Sequence, residues 1–329
     1  RAFKCNGINL ATNTMANWVI KSADNYLSLL YDRLHELIYD NHIIHADESP
    51  VKVMRIGNAP IKNGKKTYMW VYRNNPKLSS KPIVLYDWQP SRSADHPREF
   101  LKNFSGIAIT DGYQVYHKLG KERKDLTIGG CWIHARRPYA DFIKSLKESV
   151  TNTVAHEAYA MITEMLHIDN GFDDLSSEDR LKQRQLILSE KVDAYFAWVK
   201  HKYTQVTHNS NIGKALAYSI HQEPYLRTFL TDGDVPMDNN YAEQAIRPFT
   251  IGRKNFVLID SSNGALASAM IYSLVETAKA NHLNVYEYVE LLLTEIPKHM
   301  NDTNLSFLDE LLPWSPNVQK KCPSRLRKS

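Results

Sequence analysis

Gly106-Ile107-Ala108-Ile109-Thr110-Asp111-Gly112 is an apolar run that stops on an acid and a glycine. It reads as a buried strand, with the glycine turning the chain out of the sheet. Upstream, His42-Ile43-Ile44-His45-Ala46-Asp47 has the same form, and Val51 to Ile56 continues it. Lys66-Thr67-Tyr68-Met69-Trp70-Val71-Tyr72 alternates aromatic and β-branched residues, and Pro82-Ile83-Val84-Leu85-Tyr86-Asp87-Trp88 reads as a further strand. Split by Gly, Asn or Pro, these runs predict an antiparallel meander. A helix near His96 to Phe104 precedes the 106–112 strand. A helix and a strand, Leu126 to Ile133, follow it. Three strands and then alternating helix and strand predict an α/β fold with a mixed sheet flanked by helices.

From about residue 140 to 230 the texture is nearly all helix: Val150 to Leu166, Ser177 to Lys202 and Gly213 to Leu230. Ser176 with Asp179 brackets a helix start rich in early acids. This stretch predicts an all-helical insertion. Asn240 to Phe249, Asn263 to Asn281 and Tyr286 to Ile296 read as later helices. Pro313 and Pro316 are expected to end the ordered part and leave a loose tail. Before the sheet, Thr12 or Asn13 caps a helix carrying Met15, Trp18, Val19 and Ile20, and a second helix runs through Tyr26 to Ile38. A polar joint between them is compatible with the end of a helix-turn-helix, or with a helical lead-in packed on the next domain. The expected organisation is therefore a lead-in at 1–40, the first part of the α/β domain at 41–140, the helical insertion at 141–235, the remainder of the α/β domain at 236–300 and a tail at 301–329.

At 329 residues the chain has room for two domains, or one with an insertion. Hydrophobic residues at 43% and charged residues at 23% exclude wholesale disorder. Cys5, Cys131 and Cys322 are too few for a disulfide framework or a four-cysteine zinc site, and fit a reducing cytosol. No apolar run approaches a membrane span and no signal peptide is visible. A chain that opens on Arg1 is expected to be a fragment. The net charge of +5 is a tail effect, because Lys320, Lys321, Arg325, Arg327 and Lys328 carry all of it. Composition alone therefore does not single out nucleic acid as a partner. No Walker motif, GxGxxG or GxSxG occurs, so nucleotide-loop and serine-elbow chemistry have no support.

Asp47 and Asp111 close apolar runs, where an acid is costly unless exposed, paired or metal-bound. Carboxylates on neighbouring strands repel unless a cation lies between them. Hard oxygen ligands of this kind suit Mg²⁺ or Mn²⁺. Glu243, within the first turns of a helix that Asp238 or Asn239 could cap, is the best third acid. Cys131-Trp132-Ile133-His134 is a CxxH pair without a second pair nearby, so Cys131 is expected to be buried and His134 hydrogen-bonded close to the acids. Arg136, Arg137, Arg247, Arg253 and Lys254 read either as phosphate contacts or as a solvated face.

His45-Ala46-Asp47-Glu48-Ser49-Pro50-Val51 resembles the first-aspartate motif of the insertion-sequence-66 family of transposases. Thr110-Asp111-Gly112-Tyr113 with Gly130-Cys131-Trp132-Ile133-His134-Ala135-Arg136-Arg137 is similar to that family's second block. Asp238-Asn239-Asn240-Tyr241-Ala242-Glu243-Gln244-Ala245-Ile246-Arg247-Pro248 with Ile251-Gly252-Arg253-Lys254-Asn255 resembles its third, and Tyr272 to Lys279 fits as well. The resemblance runs in order from about Asn13 to Pro313.

It implies a ribonuclease-H-like catalytic domain of the DDE type, interrupted by the helical insertion. Asp47, Asp111 and Glu243 become the triad that holds two divalent ions, Mg²⁺ or Mn²⁺, with Cys131, His134 and Asn240 as structural neighbours. The implied activity is cleavage of DNA at the ends of an insertion sequence and transfer of the freed 3′-hydroxyl into target DNA. The partners implied are double-stranded DNA, a second copy of the chain or more on that DNA, and accessory proteins of the same element. The implied location is the bacterial cytoplasm, at the nucleoid. The likeness also favours a helix-turn-helix at 1–40. The chain departs from the family where Asn255-Phe256-Val257-Leu258-Ile259-Asp260-Ser261 replaces an expected Phe-Ala-Gly-Ser-like run, and in lacking an upstream coiled-coil and zinc-binding region. Two other readings stay open: an inactive DNA-binding remnant, and a ribonuclease-H-like nuclease without strand transfer.

Overall fold

The computed structural model describes residues 7–61, 65–147 and 150–324. Cys5, Arg325, Arg327 and Lys328 lie outside the described residues. The strands are β1 (Ile43–Val51), β2 (Val53–Ile56), β3 (Ala59–Pro60), β4 (Thr67–Asn74), β5 (Val84–Gln89), β6 (Gly106–Ile109), β7 (Leu126–Gly129) and β8 (Ile259–Ser261). The α-helices are α1 (Thr12–Ser22), α2 (Ser28–Ile38), α3 (Asp95–Phe100), α4 (Gln114–Glu122), α5 (Trp132–Ser145), α6 (Val154–Asn170), α7 (Ser177–Gln183), α8 (Ser189–Tyr203), α9 (Asn211–Leu226), α10 (Asn240–Phe256), α11 (Ser262–Ala280), α12 (Val285–Glu295) and α13 (Pro316–Lys321). Five strands form a mixed sheet in the order β5-β4-β1-β6-β7. No helix among the described residues is long and apolar enough to cross a membrane.

The chain divides into two compact units. One takes the described residues of Arg1–Asn41, Asp47–His96 and Tyr241–Ser329, and the other takes His42–Ala46 and Pro97–Asn240. β1 is thus divided after Ala46. Asp47 lies in the middle of this nine-residue strand, not at its end as the apolar run suggested.

In the first unit, α1 and α2 are joined by a single π-helical turn, Ala23–Leu27. The expected polar joint is therefore not a change of direction. Ser22 and Ser28 keep right-handed helical angles, and Ala23, Leu27, Leu30, Leu34 and Ile38 form one buried stripe at helical spacing. β4 and β5 pair antiparallel from Tyr68↔Gln89 to Arg73↔Val84. The outer edge of β5 is closed by hydroxyls of α11. Thr277 Oγ1 accepts from the Val84 N–H at 3.0 Å and donates to its carbonyl at 2.9 Å, while Ser273 Oγ accepts from the Tyr86 N–H at 2.7 Å. These contacts satisfy groups that would otherwise leave a bare strand edge. On α10, Ala242, Ala245, Ile246 and Phe249 recur at helical spacing and pack with Val51, Met69, Val71, Tyr86 and Trp88.

β8, absent from the sequence reading, pairs parallel with β2 in a small sheet. The tail is also more ordered than expected, because Ser315 caps α13 and Val318 and Cys322 are buried. Pro316 stands at the start of that helix, where its missing N–H costs nothing.

In the second unit, Ile43 to His45 of β1 pair parallel with Ile107 to Ile109 of β6, and β6 pairs parallel with β7. The strand expected over Leu126 to Ile133 ends at Gly129, because the Gly130 N–H turns to the Tyr225 carbonyl at 2.9 Å and Trp132 opens α5. The helices of 141–235 share their core with the strands. Ile43, Ile107 and Ile109 share one apolar cluster with Trp132, Ile162, Met165, Val192, Phe196, Leu216 and Phe229. Each such side chain removed from water stabilises the unit by about 1.5–3 kcal/mol.

Candidate functional site

The second unit presents Asp111 at the end of β6. Its Oδ1 accepts from the Tyr113 N–H at 3.0 Å, which makes a local turn. Gly112 has φ +93°, and a Cβ there would stand 2.6 Å from the Tyr218 hydroxyl, so only glycine turns the chain here without strain. From α9, the Tyr218 hydroxyl donates to the Asp111 carbonyl at 2.7 Å and the Gln222 amide donates to the Gly112 carbonyl at 3.3 Å. Burial, with Asp111 and Cys131 nearby, pushes the Tyr218 phenol above its ordinary range, so it remains a donor at neutral pH. His117 stacks on Tyr225 at 3.7 Å, and burial and Lys121 pull its imidazole below the usual range.

Cys131 caps the start of α5. Burial pushes its thiol up to about 12, so the thiol is neutral at physiological pH. The Asn239 N–H donates to its sulfur at 3.3 Å, and the Trp132 N–H donates to the Met237 carbonyl at 2.8 Å. His134 accepts from the Arg137 guanidinium at 3.0 Å. Arg136 donates to the Thr163 hydroxyl at 3.1 Å and lies over the Tyr159 ring, which ties it to α6.

A buried clamp supports the approach to α10. Arg184 Nε and Nη2 hold both oxygens of Asp169 at 2.6 and 3.0 Å. Its Nη1 reaches the carbonyls of Phe229, Asp232, Gly233 and Val235 at 2.8–3.2 Å. One guanidinium therefore fixes the loop leading to Met237, Asp238 and Asn239.

The first unit carries Asp47 and Glu243. Asp47 Oδ1 accepts from the Glu48 N–H at 2.7 Å. Glu48, with its side chain 1% exposed, is paired with Arg92. Arg253, in the last turn of α10, donates to the Ser49 hydroxyl at 3.0 Å and to the Pro50 carbonyl, so it binds the protein's own β1. Glu243 lies in the first turn of α10, beside the face buried by Ala242, Ala245 and Ile246. Arg137, Arg247 and Lys254 are exposed.

Asn240, expected as a structural neighbour, is exposed and bonds Asp238. The buried asparagine is Asn239, which sequence reasoning treated only as a possible cap. Among the described residues, no group of three or more His, Cys, Asp or Glu side chains is gathered as a metal site.

The sequence model of the Transposase IS66 family matches residues 1–267, and that of the IS66 C-terminal element matches residues 273–314. Three curated relatives come from Sinorhizobium fredii (strain NBRC 101917 / NGR234). The uncharacterized protein y4qI is 27% identical over 94% of this chain and 57% of its own length. The uncharacterized protein y4jD is 28% identical over 94% and 60%, and y4hP is 25% identical over 95% and 57%. The chain thus spans little more than half the length of the curated relatives it matches. No solved structure matches. With the two matches spanning nearly all of its length, in the order the motifs stand, the chain belongs to the IS66 transposase family.

Proposed function

We propose that this chain is the catalytic part of an insertion-sequence transposase with a ribonuclease-H-like core. It would cut DNA at the element ends and join the freed 3′-hydroxyl to target DNA. The observation that carries this reading is the ordered match to the transposase family, with Asp47 on a strand, Asp111 at a strand end and Glu243 in the first turn of a helix. The partners that follow are double-stranded DNA and at least one further copy of the chain, since two ends must be held together.

Asp47, Asp111 and Glu243 would supply the metal ligands. A set made only of carboxylate oxygens fits Mg²⁺ or Mn²⁺ and not a soft metal. Bound there, two such ions would lower the pKa of an attacking water or 3′-hydroxyl and stabilise the leaving oxygen. The chain's own part is to hold the carboxylates. Tyr218 and Gln222 brace the Asp111 turn, and α10 carries Glu243. Arg137, Arg247 and Lys254 are exposed and could meet phosphates, Arg137 while bonded to His134, whereas Arg136 and Arg253 act first as internal ties. No covalent protein–DNA intermediate is required.

The test is a joining assay with labelled duplex from the element's own ends, a plasmid target and Mg²⁺ or Mn²⁺. Wild-type chain should join strands, and Asp47→Asn should bind DNA without cutting it. Joining that survives in Asp47→Asn removes the triad. Cutting without joining makes the chain a nuclease, and binding without either makes it an inactive remnant.

A further inference from the structure

Asn239 is fully buried, and both polar atoms of its side chain are engaged. Its Nδ2 donates to the Ala46 carbonyl at 2.9 Å, and its Oδ1 lies 3.0 Å from His45 Nδ1. Because the amide nitrogen is committed to a carbonyl, the amide oxygen must face the imidazole, and His45 must carry its proton on Nδ1. The Asn239 N–H goes to the Cys131 sulfur at 3.3 Å. His45 is also fully buried, and Cys131 is nearly so.

These partners all belong to the second unit, yet they end at two points where the chain leaves it, after Ala46 and after Asn240. Asp47 is the next residue after Ala46. Glu243 follows Asn239 by one helical turn. A buried amide-to-carbonyl bond at that place sets the backbone from which both acids start.

We propose that Asn239, oriented by His45, is a positioning residue that holds the Asp47 and Glu243 backbones in register for a divalent cation. This rests on the triad reading above. Partners bonded directly to metal ligands are worth roughly 10–100-fold in affinity or activity, and one that acts through the neighbouring backbone belongs at the lower end of that range.

The test measures Mn²⁺ binding to the full chain by the paramagnetic resonance of the free ion, beside duplex binding and thermal unfolding. Asp47→Asn should bind Mn²⁺ more weakly than wild type, which secures the triad reading. Asn239→Ala should weaken Mn²⁺ binding about tenfold while duplex affinity stays at the wild-type value. Cys131→Ala, which removes packing and the sulfur that accepts the Asn239 N–H but keeps both side-chain amide bonds, should lower thermal stability and spare Mn²⁺ affinity. Should Asn239→Ala fail to fold, His45→Leu and His45→Asn replace it. The leucine loses the donor and should weaken Mn²⁺ binding. The asparagine amide nitrogen takes the place of Nδ1 and should restore it.

Unchanged Mn²⁺ affinity in Asn239→Ala or His45→Leu, with Asp47→Asn weakened, overturns the positioning role and leaves the triad standing. So does an equal loss in Asn239→Ala and Cys131→Ala, or no recovery in His45→Asn. Equal binding by wild type and Asp47→Asn sinks the triad reading, and the positioning role with it.

Discussion

The Tyr218 hydroxyl donates to the backbone carbonyl of Asp111 at 2.7 Å, across 107 residues of sequence. A helix of the all-helical stretch therefore braces the turn that presents one of the proposed catalytic acids. Tyr218→Phe keeps the ring and removes this bond, which should cost about 0.5–1.5 kcal/mol. Urea unfolding would show that loss, and strand cutting should fall while duplex affinity holds. Unchanged cutting would mean that the turn keeps its geometry unaided.

Gly112→Ala tests the same turn from the backbone side. At φ +93° any side chain is strained, and the new methyl would meet the Tyr218 hydroxyl. A loss of at least about 1–2 kcal/mol is expected from the backbone alone. The double variant with Tyr218→Phe should lose less than the sum of the two, because the hydroxyl it would strike is gone.

Asp87 gives the fold a pH dependence. Burial pushes its carboxyl up to about 7, against the opposing hydrogen bonds from Gln89. The folded state therefore holds this proton where the unfolded chain has lost it, and stability falls as pH rises from about 4 to about 7. Asp87→Asn should be more stable to unfolding than wild type at pH 7.5, by roughly 2–4 kcal/mol, and the gap should close towards pH 4. A constant gap across that range would assign the effect to packing.

Arg184→Ala should destabilise the second unit by about 3–5 kcal/mol, since it leaves the Asp169 carboxylate and the carbonyls of Phe229 and Val235 without this buried donor. Hydrogen exchange should report this first at residues 229–239. Arg184→Lys should recover only part of it, because an ammonium cannot span Asp169 and the loop at once.

The residues that kept their sequence meaning are those whose signal is local. The apolar run into Asp111 is β6 and its turn, and the periodicity after Asn240 is α10 with Glu243 in its first turn. What stayed hidden depends on distant partners. Asn239 and Asn240 are adjacent and chemically alike. Only the former meets Ala46, 193 residues away, and no spacing rule reports that. β8 is three residues long and is a strand only because β2 pairs with it. The helices of 141–235 are legible from their own periodicity, whereas the place of Ile43, Ile107 and Ile109 in their apolar cluster is not. The polar joint expected before Tyr26 and the proline-bounded tail were misjudged for a related reason. A π turn and a proline at a helix start both leave the sequence looking broken while the backbone carries on.

The bond between Asn239 and Ala46 also has a consequence for biogenesis. The carbonyl that receives it leaves the ribosome 193 residues before the amide that satisfies it. At roughly 5–20 residues per second, that strand waits about 10–40 s for its partner. During that interval Ile43 and Ile44 have no finished core to enter. The nascent chain would be most open to chaperone capture, and to pairing with a neighbour on the same message, until residue 239 emerges.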